Sequence, residues 1–240
     1  MNFKKLMLDA GNNLYFLLTC LGIFAALVLI AWLTERYFLK IRKNKLSSAK
    51  SVSFIAMFSA IAAILMYIEF PLPFAPPFYQ IDLSEIPVLI CTFYLGPVSG
   101  VVCEFLKILL KLFLKGTSTA FVGDFANFAV GCTLVLPASI IYHHKKTLKS
   151  AILGLVTGTL VMTVFGSLFN AVYLLPKFAD LYGMPLEAIV GMGTEVNAKI
   201  TDVSSLVLWA VVPFNILKGI IVSLVTLLLY KRVKRLFKMK

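Results

Sequence analysis

The sequence predicts an all-α, polytopic membrane protein with seven transmembrane helices, and three observations predict it. First, 60% of its 240 residues are hydrophobic and only 14% are charged, with a mean hydropathy of +0.93. A soluble domain is about 45–50% apolar and about 25% charged. Second, its apolar runs reach twenty residues and more, enough to cross a bilayer as a helix and too long for barrel strands. Third, Lys and Arg fall in blocks: six in residues 36–50, three in 143–150 and six in 231–240, fifteen of the 23 in the chain. A seven-helix path puts all three blocks on one side and most acids in the opposite loops. The positive-inside rule then places the amino terminus outside and the carboxyl terminus in the cytoplasm. A net charge of +12 would point to nucleic acid in a soluble protein. Here the blocks alternate with apolar runs, so the expected partner is the lipid bilayer and not nucleic acid.

The first run, Leu14 to Leu33, has twenty residues. A signal-peptide core has about 7–15, and no small-residue cleavage site follows, so the run reads as a retained helix with a basic cytoplasmic linker to residue 50. The second run, Val52 to Phe70, carries Ala56-x-x-x-Ala60, a small-x-x-x-small spacing that lets another helix approach closely. The plainer reading is packing inside the protein. Phe70 to Gln80 holds four prolines in seven residues, which excludes a helix. It reads as an ordered aromatic loop, a lid over a site or else a stiff connector.

The third run, Ile81 to Tyr94, begins with Asp82 or Ser84 as its cap, and Gly96-Pro97 breaks it. The fourth helix carries Glu104 and Lys107 three apart, an expected neutralising pair, and ends at Lys115-Gly116. The fifth runs from Phe121 to about Tyr142, with Asp124 and Asn127 near its start, followed by a basic loop in which His143 and His144 are expected to be solvated. The sixth runs from Ala151 to Leu175, with Gly154, Gly158 and Gly166 suited to tight packing. Pro176 to Asp202 reads as a polar connection with a short helix near Pro185. The seventh covers Leu206 to Tyr230. Cys20, Cys91, Cys103 and Cys132 all lie in or beside apolar runs, without a CxxC pair, and read as small buried hydrophobes.

The chemistry concentrates in Pro213-Phe214-Asn215-Ile216-Leu217-Lys218-Gly219. Asn215 and Lys218 share one helix face, and a charge at membrane depth costs about 2.5–3.5 kcal/mol on insertion scales. Such a charge is by default functional; the plainer reading has Lys218 reaching an interface. Pro213 and Gly219 loosen a helix where it lines a cavity. In the seven-helix path Asp82, Asp124, Asn127, Asn170, Tyr173, Asn215 and Lys218 all fall toward the outer side, with Phe78 and Tyr79 in the aromatic loop. Amides offer donors and acceptors to a flat ring bearing carbonyl and NH groups, and the aromatics hold its faces. No nucleophile–base pair, metal cluster, P-loop or HExxH appears, so neither an enzyme nor an energy-coupling machine is expected.

Five segments, in order, carry a resemblance: Ile81-Asp82-Leu83-Ser84-Glu85-Ile86-Pro87, Leu95-Gly96-Pro97-Val98-Ser99-Gly100, Val122-Gly123-Asp124-Phe125-Ala126-Asn127-Phe128, Gly183-Met184-Pro185-Leu186-Glu187-Ala188-Ile189 and Pro213 to Gly219. From Ser51 to Lys234 the chain resembles the riboflavin-binding S components (RibU type) of energy-coupling factor (ECF) transporters. The resemblance implies a six-helix substrate-binding domain over residues 51–240, preceded by one extra transmembrane helix and linker in 1–50. It implies riboflavin as the transported ligand and no resident cofactor. As partners it implies an ECF transmembrane scaffold subunit (the T component) and two ATP-binding cassette ATPases. Asn215 and Lys218 match the family's Asn-x-x-Lys pattern, and Ala56 and Ala60 its scaffold-docking motif. The family's usual Gly-Glu-Leu-Ala-Asn-Phe is here Gly123-Asp124-Phe125-Ala126-Asn127-Phe128. Alternative readings are an S component for FMN or another vitamin, or a flavin-supplying subunit of an extracellular electron-transfer system.

Overall fold

A computed structural model describes residues 14–39 and 48–236. The basic positions expected at 40–45 and the ends of the chain lie outside the described residues. Helix α1 is Leu14–Phe38, α2 Ala49–Tyr67, α3 Glu85–Leu95, α4 Pro97–Lys115, α5 Val122–Lys145, α6 Leu148–Tyr182 and α7 Leu186–Thr194. Helix α8 begins at Val203 and continues to Leu236. By length and composition α1, α2, α5, α6 and α8 suit a membrane crossing. At eleven residues α3 rises only about 16 Å and does not span the hydrocarbon alone.

The helix ends follow from local chemistry. Thr147 and Ser150 cap α6 reciprocally, and Asp202 and Ser205 do the same for α8. Gly96 ends α3 with φ +128°, which glycine adopts freely, and Pro97 opens α4 where its missing N–H costs nothing. Ser84 does not use its side chain to cap α3; instead Asp82 Oδ1 accepts the Ser84 backbone N–H at 2.8 Å.

The main core joins α2, α3, α5, α6 and α8 around Phe58, Leu89, Phe93, Leu134, Tyr142, Leu155 and Val222. Helices α5 and α6 meet backbone to backbone: a Cβ at Gly154 would lie 2.6 Å from the Ala138 carbonyl oxygen. Helix α1 stands outside this core. Phe24 stacks on Phe105 of α4 at 4.0 Å, and Phe16 meets Phe125 of α5 edge-on at 5.8 Å. Glu35 Oε1 accepts the Val98 N–H at 2.9 Å, a carboxylate at the positive end of α4. A side chain at Gly96 would meet that same carboxylate.

Two expectations are corrected, and a third, the ordered loop, is made more definite. The aromatic loop is closed by a two-residue ladder, Phe70 opposite Ile81 and Pro71 opposite Gln80 (β1 and β2). Pro176 does not end the sixth helix, which continues to Tyr182. The reason is a π turn at Asn170–Leu174: its wider i→i+5 ring moves the carbonyls that a proline would strike. Helix α8 repeats the device, with a π turn at Val207–Val211 just before Pro213. Lastly, His143 is not a solvated loop residue. It lies in the last turn of α5, 8% exposed, with Nδ1 3.1 Å from the Ser139 carbonyl oxygen, while His144 is exposed.

Candidate functional site

The residues expected to hold a ligand divide into those the fold brings together and those it does not. At one end of the bundle the β1–β2 loop lies against the π turns of α6 and α8, over a small apolar core of Ala75, Leu175, Ile189, Leu206 and Val211. Tyr79 reaches into this junction. Its hydroxyl donates to Asn170 Oδ1 at 2.7 Å, and its ring packs 5.4 Å from Phe214. Burial pushes the Tyr79 hydroxyl up, so it stays a donor. Phe78 lies beside it, 4.7 Å between ring centres, at the exposed rim.

Asn170 and Asn215 meet at Gly166. Asn170 Nδ2 donates to the Gly166 carbonyl at 2.8 Å, and the Asn215 amide packs so closely that a Cβ at Gly166 would sit 3.1 Å from its Nδ2. Asn215 Nδ2 donates to Val211 O at 3.1 Å, the last carbonyl of the α8 π turn. Both amides are buried, and both π turns serve them: one contains Asn170, the other supplies the acceptor that orients Asn215.

One turn further along α8, Lys218 Nζ binds Asp82 Oδ2 at 3.0 Å. Burial works against the charge on Asp82, but Lys218 and then Lys107 outweigh it and hold the carboxyl well below the usual carboxylate range. Thus Tyr79, Asn170, Asn215, Lys218 and Asp82 form one buried polar strip from the loop to α8.

Asn127 and Tyr173 stand apart from that strip. Asn127 Nδ2 donates within its own helix to Gly123 O at 3.2 Å. Tyr173 stacks on Phe169 at 5.2 Å and joins a separate cluster with Val122 and Ala126. The π turn explains the separation of Tyr173 from Asn170, because residues three apart share a face only in an α-helical turn. Ala56 and Ala60 are exposed on α2, in a strip with Met57, Ile61 and Ile64. The plainer reading, in which these alanines pack inside the chain, does not hold.

Sequence reasoning missed the ion network next to this strip. Lys107, Lys111 and Lys115 recur every four residues along α4, and each meets an acid from another element: Glu85 of α3, Asp124 of α5 and Glu69 before β1. Glu104 also binds Lys107, as its spacing suggested. The signal was present: an amine in an apolar helix demands a partner, so three lysines in one stripe call for three acids elsewhere. Phe214 was missed as well, although it adjoins Asn215.

Known proteins resemble the chain over most of its length. A family model described as "ECF transporter, substrate-specific component" matches residues 50–230. The riboflavin transporter RibU of Staphylococcus aureus is 40% identical over 198 residues, 82% of this chain and 97% of that protein. The riboflavin transporter FmnP of Bacillus subtilis is 30% identical, over 77% of this chain and 92% of its own. A solved structure, described as the S component of a bacterial ECF transporter, matches with a TM-score of 0.62 and 39% identity. It covers 79% of this chain and 98% of that one.

Proposed function

The chain belongs to the family of ECF transporter substrate-specific components, and from that premise we propose that it is the high-affinity riboflavin-binding subunit of an ECF importer. It is a membrane-embedded transport subunit and not an enzyme. It captures flavin from outside, with its amino terminus outside and its carboxyl terminus in the cytoplasm. It passes the ligand on through a T component driven by two ATP-binding cassette ATPases.

The observation that carries the reading is the buried meeting of Asn170, Asn215 and Tyr79 beside Phe214. Asn170 and Tyr79 satisfy one another, so a ligand ring enters by taking over those hydrogen bonds as the β1–β2 loop moves aside. The exchange is close to balanced, and the apolar and aromatic walls supply the gain. Lys218 comes already neutralised by Asp82, which favours an uncharged ligand over a phosphorylated one.

Titrating the purified protein with riboflavin, FMN, thiamine and folate tests this. Flavin fluorescence should be quenched most tightly by the protein with riboflavin, and no quenching, or tighter binding of thiamine or folate, rejects the reading. The exposed Ala56–Ala60 strip is the docking face for the T component. Replacing both alanines with Leu should abolish riboflavin uptake in cells while binding stays near wild type; retained uptake rejects the docking role.

A further inference from the structure

Three carboxyl groups and two amines are buried together at the centre of the α3–α4–α5 contact. They are Asp82, Glu85 and Glu104 against Lys107 and Lys218, none more than 7% exposed. Lys218 is committed to Asp82. Lys107 alone remains for two glutamates, its Nζ 2.9 Å from Glu85 Oε1 and in contact with Glu104 Oε1. The glutamates come from different helices, and their Oε1 atoms flank both the Lys107 amine and the space beside Gly131. Glu85 Oε2 and Glu104 Oε2 are fully buried and have no hydrogen-bond partner.

Among the described residues, the surrounding elements offer no further cation. From α2 comes Ser59, bonded to Cys103. From α5 come Cys132 and Gly131, whose missing side chain leaves the space that the Glu104 carboxyl fills. Residues Phe24, Val28 and Ala31 of α1 bring only apolar groups toward α4. Lys111 and Lys115, further along α4, are taken by Asp124 and Glu69. The set therefore carries one negative charge too many in a medium that does not tolerate an uncompensated one.

We propose that Glu85 and Glu104 bind one proton between them. The proton comes from water and forms an O–H bond on one carboxyl group, which donates to the other; Lys107 balances the single charge that is left. Two carboxylates confined to one site take up a proton for this reason. The pair is a proton site inside the bundle, one ion pair away from Lys218.

Infrared difference spectroscopy of the purified full chain at neutral pH, without ligand, tests it. Wild type minus Glu104→Gln should show a carboxylic-acid C=O band present only in wild type, and wild type minus Glu85→Gln should show the same band. Either glutamine leaves one carboxylate for one amine and so removes the proton. Each variant should elute as a folded, monodisperse species, because glutamine matches the protonated acid in shape and also donates. Absence of an acid band in wild type overturns the proposal, as does a band that survives in both variants. Failure of both variants to fold also rejects it. The reading of the site as a flavin site plays no part in this measurement, so the two stand or fall separately.

Discussion

The bundle buries polar groups in two different ways on its two sides. On the side of α3, α4 and α5 the buried groups are charges, locked in pairs and triads: Lys107 with Glu85 and Glu104, and Lys111 with Asp124. On the side of α6 and α8 they are amides and a phenol, Asn170, Asn215 and Tyr79, satisfied by helix carbonyls at or beside the π turns and, for Tyr79 and Asn170, by one another. The sides meet at the Asp82–Lys218 pair. A buried charge that loses its partner is stranded at high cost, whereas an amide exchanges one neutral partner for another cheaply. The charged side is thus built to stay as it is, and the amide side to accept a ligand.

The contrast breaks most visibly at Lys107. Lys107→Met should destabilise the protein by about 3–5 kcal/mol, since it leaves two glutamates buried without their amine. Thermal unfolding in detergent measures this, and a melting temperature equal to wild type would show that the charges do not hold that side together. Asn215→Ala should do the reverse. Its loss removes a hydrogen bond to ligand worth about 1–3 kcal/mol, a ten- to hundredfold weaker riboflavin affinity, with a melting temperature close to wild type. Unchanged affinity in a folded variant would move the ligand off the amide side. Lys218→Ala is a poorer probe than the sequence suggests, because it also strands Asp82. The smallest effect is expected from Tyr79→Phe. It frees Asn170 Oδ1 at a cost near 1 kcal/mol, so riboflavin affinity should change by less than tenfold in either direction. A hundredfold loss would make the tyrosine hydroxyl a direct ligand contact.

Much of the fold could be read from the chain because bilayer length and charge bias are coarse, strong signals. The break at Gly96-Pro97, the end of α4 at Lys115 and the short helix after Pro185 followed from residue chemistry. The continuation of α6 past Pro176 did not, because a π turn leaves no mark in an apolar run. His143 misled through its neighbours: beside His144 and two lysines it looks solvated, yet the helical phase of Ser139 and Tyr142 turns it inward. Asn170, Asn215 and Lys218 were legible because polar groups in apolar helices stand out. Glu85 was not, since an acid in the first turn of a helix is ordinary there. Tyr173 packs with Val122 and Ala126 because its three-residue spacing from Asn170 falls on a π turn and not on an α-helical one.

The bond from Glu35 to the start of α4 also sets an order in time. Its partner amide lies 63 residues further along the chain. At roughly 5–20 residues per second, a ribosome needs about 3–13 seconds to make that stretch. Helix α1 is therefore inserted well before the site that clasps it exists. During that interval α2 and α3 are synthesised, so α1 docks onto a partly assembled bundle, from its outside, as a late-fastened first piece.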